Sequence, residues 1–137
     1  MRIHHIGIIT KDIAADKELY ASLGYSPCGE VVTDDIQNNR LLFMSNECGE
    51  VIELVEAANE KSSVYSLSKG YAHICYEVAE MDAFIDSFKK GRLGLIFTEK
   101  LRAPAINNRY IVFAMLKNGT LVEFVEEEGS RPEFENK

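Results

Sequence analysis

Two histidines and two glutamates recur at matching places in the chain. His5 and His73 each stand in a short apolar run, and Glu53 and Glu123 each interrupt a hydrophobic segment, in VIELVE and LVEFVE. An ionised carboxylate between aliphatic residues is costly unless a cation or hydrogen-bond donors satisfy it. Two imidazoles and two carboxylates suit a divalent transition metal that keeps open positions for water or substrate. Together, the four side chains predict a metal site.

These positions match because the sequence contains an internal duplication. The segment NNRLLFMSNECGEVIELVE, residues 38–56, resembles NNRYIVFAMLKNGTLVEFVE, residues 107–126, with a one-residue gap. Residues 5–20 align with residues 73–88 without a gap, so His5 lies over His73. If a pseudo-twofold axis relates the two halves, the four candidate ligands converge on one point in a cleft.

Each half has the pattern of a strand, a helix and three further strands. In the first half, RIHHIGIIT precedes a helix that Asp12 can cap and Gly24 ends, and the strands YSPCGEVVT, RLLFMS and EVIELVE follow. The second half repeats this order with YAHICYEVA, a helix from Met81 to about Lys90, LGLIFTEK, RYIVFAML and TLVEFVEE. The predicted class is α+β, with two tandem βαβββ repeats that form one curved mixed sheet with helices on its outer face.

The repeats occupy residues 1–58 and 71–128, and they predict a single domain over residues 1–128. Residues 129–137 are polar and charged, which predicts a flexible tail. Because side chains alternate along a strand, Glu53 shares a face with Val51 and Val55. His4 points to the opposite face from His5, and only the alignment of the two halves selects His5 as the ligand.

Composition excludes some partners. The chain has 137 residues, 46% of them hydrophobic, which suits one compact core. A net charge of -7 argues against a nucleic-acid partner and against polybasic docking to a membrane. Histidines stand where a signal peptide would have its apolar core, and no segment reaches transmembrane length. Cys28, Cys48 and Cys75 form no CxxC pair, which favours reduced thiols and a cytoplasmic protein.

The strand signatures HHIGIIT, VIELVE, YAHICYEV and GTLVEFVEE resemble the vicinal oxygen chelate (VOC) superfamily, which includes glyoxalase I and methylmalonyl-CoA epimerase. The resemblance covers residues 2–127 and implies the glyoxalase/bleomycin resistance/dioxygenase-type fold. It also implies a metal held by His5, Glu53, His73 and Glu123. Nickel or cobalt is the favoured ion, and zinc and manganese are the other candidates.

The same resemblance implies a reaction. A substrate with neighbouring oxygens would chelate the metal, which would stabilise an enediolate or enolate while protons move. By resemblance to glyoxalase I, Glu123 would be the general base and Glu53 its catalytic partner across the site. A small-molecule substrate is expected, either the thiol adduct of a 2-oxoaldehyde or an acyl-CoA. A homodimer is expected as well.

Three functions remain open at this stage. The favoured one is a glyoxalase I-type lyase, similar to lactoylglutathione lyase. The second is an epimerase of the methylmalonyl-CoA type, but those enzymes carry a glutamate before the third strand, where this chain has Ile36 in TDDIQNNRLLF. Asp34 and Asp35 are close to that position but displaced. The third is a binding or resistance protein without catalysis, and such proteins generally lack the full ligand set.

Several further side chains have two interpretations each. Four polar residues near the expected cleft mouth are candidates for substrate binding: Arg40, Arg102, Asn107 and Arg109. The alternative for the two Asn-Asn-Arg segments is a strand entry with a solvated arginine. Cys75 lies two residues after His73, so it either lines the site or is a small buried hydrophobe. Phe43, Met44, Phe113 and Met115 pack either in the core or in a dimer interface.

Overall fold

The computed structural model describes residues 1–128, so the tail predicted for residues 129–137 lies outside the described residues. Its elements, in chain order, are β1 (Ile3–Ile9), α1 (Ile13–Ala21), β2 (Ser26–Pro27), β3 (Val32–Asp34), β4 (Asn39–Ser45), β5 (Val51–Ala57), β6 (Gly70–Val78), α2 (Met81–Lys90), β7 (Gly94–Ile96), β8 (Leu101–Ala103), the 3-10 helix Pro104–Ile106, β9 (Arg109–Leu116) and β10 (Leu121–Glu126). This order confirms the α+β class with two tandem repeats.

The chain divides into two compact units. The N-unit is His5–His73, and the C-unit combines Met1–His4 with residues 74–128. The first residues belong to the C-unit because the backbone N–H of Glu77 donates to the carbonyl of Arg2 at 2.8 Å. The Arg2 guanidinium also lies 3.5 Å from the Glu77 carboxylate.

The N-unit has a mixed sheet with the strand order β2-β4-β5-β1, and β3 also pairs with β4. β1 runs parallel to β5, and β4 runs antiparallel to β5. Helix α1 covers one face, where a buried cluster forms from Ile8, Ile13, Leu42, Met44, Ile52 and Leu54. Tyr20 packs against this cluster, and burial raises the pKa of its hydroxyl above the usual 10.0. Ile52 and Leu54 of this cluster lie on the face of β5 opposite Glu53, which confirms the predicted alternation along β5. Met44 belongs to the same cluster and is a core residue.

The C-unit repeats this arrangement. Its strand order is β6-β10-β9-β7, with β8 also paired to β9. β10 runs parallel to β6 and antiparallel to β9. Helix α2 covers a buried cluster of Val78, Met81, Phe88, Val112, Ala114, Val122 and Phe124. Glu123 lies between Val122 and Phe124 on β10, so its side chain points to the opposite face of the sheet.

The second predicted strand of each half is not continuous. In the N-unit, β2 and β3 pair with opposite ends of β4, through Ser26 with Ser45 and Val32 with Leu41. The N–H of Cys28 still donates to the carbonyl of Phe43 at 2.8 Å, and Gly29 then adopts a φ of 101°, so the chain leaves the sheet at Gly29.

The corresponding part of the C-unit shows a second difference. LGLIFTEK was predicted as one strand, but β7 ends at Ile96 and a separate short strand, β8, follows at Leu101–Ala103. Pro104 then begins the 3-10 helix, and Asn107 and Asn108 turn the chain with φ of 56° and 57°. Asparagine tolerates this left-handed conformation better than most residues do.

The second glutamate of each Glu-x-Val-Glu sequence fastens a helix to the sheet. Glu56 Oε1 accepts a hydrogen bond from the N–H of Ile13 at 2.8 Å, and Glu126 Oε2 accepts one from the N–H of Met81 at 2.9 Å. Each donor is the first residue of its helix, where N–H groups have no partner within the helix. We call Glu56 and Glu126 the helix-clamp glutamates, and their negative charge also suits the helix dipole.

The clamp makes a stability prediction. Replacement of Glu56 by Ala leaves the Ile13 N–H and the Arg40 guanidinium without their shared acceptor. The free energy of unfolding should fall by about 1–3 kcal/mol, as for other lost caps and charged hydrogen bonds. Chemical denaturation measures this, and Glu60→Ala, at an exposed position, is the matched control. Equal stability of the two variants would show that the clamp contributes nothing.

Candidate metal centre

Three of the four predicted ligands lie together in the N-unit. His5 stands on β1, Glu53 on β5 and His73 on β6. Glu53 Oε1 lies 3.3 Å from His5 Nε2 and 3.9 Å from His73 Nε2. The two imidazole rings meet edge to face, with their centroids 5.5 Å apart. All three side chains are more than nine-tenths buried.

This arrangement has the chemistry of a divalent-metal site. One ligand atom from each of His5, Glu53 and His73 lies within 4.8 Å of the others. Metal–ligand bonds of about 2.0–2.2 Å place two ligand atoms of one ion at most about 4.4 Å apart, so only small movements are needed. Two imidazoles and a carboxylate suit several first-row divalent metals. The donor set therefore fits such an ion.

Two residues that the sequence patterns did not single out shape the site. A Cβ atom on Gly7 would lie 2.6 Å from His73 Nδ1 and 2.8 Å from His73 Nε2, so only glycine leaves room for this imidazole. Phe43 packs edge to face on His5 with a centroid distance of 5.1 Å, and it is the β4 partner of Glu53. The available signal was Gly7 itself, because a glycine inside a strand often marks a close approach.

Glu123, the fourth predicted ligand, belongs to the C-unit. It is 4% exposed, and its partners in register are Phe113 on β9 and Cys75 on β6. Cys75 is fully buried, so it is a small core residue of the C-unit that also lies beside a predicted ligand. The side chain of Glu123 lies on the face of its sheet opposite the α2 cluster.

The arginines predicted to bind substrate make contacts within their own units. Arg40 Nε donates to Glu56 Oε2 at 2.8 Å, and since Glu56 is its β5 partner, Arg40 shares the helix-side face. Arg109 donates to the carbonyl of Glu126 and lies 3.1 Å from a ring nitrogen of His4. These contacts support structural roles for Arg40 and Arg109, and their roles in substrate binding stay predictions.

Arg102 and Asn107 lie at exposed positions of the C-unit. The Arg102 guanidinium stacks on Tyr110, 4.2 Å from the ring centroid, and donates to the Tyr110 hydroxyl at 3.0 Å. The side-chain amide of Asn107 donates to Glu128 at 3.4 Å. Both residues remain candidates for a contact with substrate.

The acidic pair before β4 has a turn role. Asp34 is buried, and its carboxylate accepts hydrogen bonds from the N–H groups of Ile36 and Gln37 at 2.9 and 3.0 Å. Asp35 and Ile36 are exposed. The carboxylate of Asp34 therefore stabilises a turn of the backbone.

Cys28, Cys48 and Cys75 are free thiols, and the first two are exposed.

Neither α1 nor α2, the two α-helices within residues 1–128, is long and apolar enough to span a membrane.

Comparison with solved structures gives consistent matches. A variant of Streptomyces coelicolor methylmalonyl-CoA epimerase in complex with 2-nitronate-propionyl-CoA has 25% identity and a TM-score of 0.80, covering 95% of this chain and 96% of that one. Mycobacterium tuberculosis methylmalonyl-CoA epimerase has 22% identity and a TM-score of 0.82, with coverage of 96% and 91%. A hypothetical protein from Bacillus halodurans has 23% identity and a TM-score of 0.81, with coverage of 93% and 94%.

Family-level evidence comes from the sequence. No curated protein matches the chain. The family model of the Glyoxalase/Bleomycin resistance protein/Dioxygenase superfamily matches residues 4–133, nearly the whole chain, and this range includes both repeats. The chain therefore belongs to the Glyoxalase/Bleomycin resistance protein/Dioxygenase superfamily.

Proposed function

We propose that this protein is a divalent-metal-dependent enzyme that inverts an acyl-CoA at the carbon next to its carbonyl group. The observation that carries the proposal is the buried grouping of His5, Glu53 and His73. The similarity to methylmalonyl-CoA epimerases, one of them in complex with a propionyl-CoA analogue, supports an acyl-CoA substrate. This proposal replaces the lyase that the sequence alone favoured.

The proposed ligands are His5, Glu53 and His73 of the N-unit and Glu123 of the C-unit. When bound, the ion supplies Lewis-acid stabilisation of the negative charge that develops on a carbonyl oxygen. Glu123 is proposed as the fourth ligand because it matches Glu53 in the duplication, is 4% exposed, and lies on the sheet face away from its own helix. Nickel or cobalt is the proposed ion, with zinc and manganese as alternatives.

The chain's own carboxylates would move the proton. Glu123 takes the proton from the carbon α to the carbonyl, the C–H electron pair forms a carbon–carbon double bond, and the π pair of the carbonyl moves onto its oxygen. A proton from solvent, returned on the side of Glu53, the proposed catalytic partner, then adds to the other face of that carbon, which inverts its configuration. Glu123 releases the proton it took to solvent and returns to its starting state.

A glyoxalase I-type lyase is the second candidate, and one observation favours it. Epimerases are expected to carry a carboxylate at the position of Ile36, but here that position is an exposed turn residue. Proton removal next to a carbonyl is common to both reactions. The difference therefore lies in the substrate, a thiol adduct of a 2-oxoaldehyde for the lyase and an acyl-CoA for the epimerase.

A paired assay distinguishes these functions. Metal-reconstituted protein is incubated in deuterated water with methylmalonyl-CoA, or with methylglyoxal and glutathione. We expect solvent deuterium to enter the acyl-CoA, detected by mass spectrometry, and Glu123→Gln to lose at least about a hundredfold in exchange rate because the base is removed. Lactoylglutathione formation without deuterium uptake by the acyl-CoA would favour the lyase. A normal exchange rate in Glu123→Gln would exclude Glu123 as the base.

The metal site itself is tested by binding. Glu53→Gln should lower the affinity for Ni²⁺ or Co²⁺ by at least about tenfold, since even loss of an outer partner of a metal ligand costs that much. Isothermal titration calorimetry of the metal-free protein measures the affinity. Glu47→Gln, at an exposed position in the β4–β5 turn, makes the same change in charge and should bind normally. Equal affinities in the two variants would remove Glu53 from the ligand set.

Gly7 gives an independent test of the His73 position. Gly7→Ala should lower the melting temperature, because the new methyl group meets the His73 imidazole. In a His73→Ala background the same substitution should have little effect, since the clashing ring is gone. Thermal unfolding of the four proteins in the double-mutant cycle measures this coupling. Purely additive changes would mean that Gly7 and His73 do not contact each other.

A further inference from the structure

The C-unit exposes large apolar side chains on the same face of its sheet as Glu123. In antiparallel register, Glu123 pairs with Phe113, and Leu121 pairs with Met115, which in turn pairs with Leu95. The N–H of Phe97 donates to the carbonyl of Phe113 at 3.1 Å, so Phe97 continues the same row. Directly paired residues point to the same side of a sheet. We call Leu95, Phe97, Phe113 and Met115 the apolar platform.

Most of the platform is open to solvent. Leu95 is 66% exposed, Phe97 51% and Met115 39%. The core of the C-unit lies on the other face, between the sheet and α2, so the platform is not required for packing of the core. A contiguous exposed apolar surface commonly marks a binding site. Because it begins beside a buried carboxylate, this surface suits the apolar part of a molecule whose reacting part reaches Glu123.

The matching surface of the N-unit is polar, which shows that the fold does not impose the platform. The duplication aligns Ser45 with Met115 and Phe43 with Phe113. Ser26 pairs with Ser45 as Leu95 pairs with Met115, so Ser26 and Leu95 are equivalent. Cys28 bonds to Phe43 as Phe97 bonds to Phe113, so Cys28 and Phe97 are equivalent as well. In the N-unit, the Cys28 thiol donates to the Ser45 hydroxyl at 3.3 Å. Two of the four equivalent positions therefore changed from serine to a large apolar residue between the repeats, and the small Cys28 corresponds to the larger Phe97.

We propose that the apolar platform selects acyl-CoA substrates whose acyl group carries a hydrocarbon chain or branch of several carbons. A single methyl group is too small to cover Leu95, Phe97 and Met115 together, whereas a longer chain can lie along the row from Phe113 to the sheet edge at β7. The inference rests on the proposed function for the position of the reacting carbon near Glu123. It adds a preference for long over short acyl groups, which the duplicated ligand set does not specify.

The experiment compares two probes without a stereocentre at the α carbon, propionyl-CoA and hexanoyl-CoA, so that inversion leaves them unchanged; binding is measured by isothermal titration calorimetry with metal-loaded protein. Hexanoyl-CoA should bind about tenfold more tightly, because part of its three extra methylenes is removed from water. Leu95→Ser and Met115→Ser each install the type of residue found in the N-unit. These variants should lose most of the preference for hexanoyl-CoA over propionyl-CoA. Leu19→Ser, at a 60% exposed position on α1, is the control and should keep the preference.

Each alternative outcome is informative. Equal affinity of the unmodified protein for both probes overturns the proposal that the platform selects longer acyl groups, even if deuterium exchange supports the epimerase reaction. If the protein prefers hexanoyl-CoA, Leu95→Ser removes that preference and no deuterium exchange occurs, the platform proposal stands and the proposed epimerase reaction is rejected. A competing occupant is a second copy of this chain, which size-exclusion chromatography with light scattering tests. Conversion of a dimer to a monomer by Leu95→Ser, with acyl-CoA binding unchanged, would assign the surface to self-association and overturn the proposal.

Discussion

A carboxylate withdrawn from water needs compensation, and three strands bring two imidazoles to within 3.9 Å of the buried carboxylate of Glu53. The parallel pairing of β1 with β5 sets Gly7 opposite Glu53 and so places His5 within 3.3 Å of the carboxylate. The absence of a Cβ on Gly7 then admits the imidazole of His73. A bound cation would relieve the remaining cost of the buried charge, which is why the site is interpreted as a metal centre.

Each repeat assigns two different tasks to one strand. Glu53 and Glu56 are three residues apart, so they point to opposite faces of β5. Glu53 meets the histidines, whereas Glu56 holds the first turn of α1. Glu126 repeats the second task at α2, and Glu123 lies on the other face of β10. The repeated Glu-x-Val-Glu sequence therefore contains a helix-clamp glutamate as well as a candidate ligand in each half.

Much of this could be predicted because duplication and alternation are visible in the sequence. The repeated His and Glu positions predicted that His5, Glu53 and His73 lie together, and the alignment of the two halves selected His5 over His4, whose ring lies beside Arg109. The helix-clamp role of Glu56 could not be predicted, because it depends on where the N–H of Ile13 lies in space. For the same reason the contact of the Arg40 guanidinium with Glu56 on the helix side could not be predicted. The short strands β2 and β8 depend on local turns at Gly29 and Asn107, where propensity alone is a weak guide.

The interval of three residues between the two glutamates constrains what substitutions and insertions evolution can accept. A single inserted residue between Glu53 and Glu56 would reverse the orientation of one of them, so either the helix anchor or the candidate ligand would be lost. Edge segments such as β7 carry no such coupling. Exposed side chains there, such as Leu95, can change after a gene-internal duplication, whereas Gly94 lies against the backbone of β9 and Ile96 packs on the α2 cluster. A doubled ancestor could therefore acquire new ligand preferences at its margins while its central strands stayed unchanged.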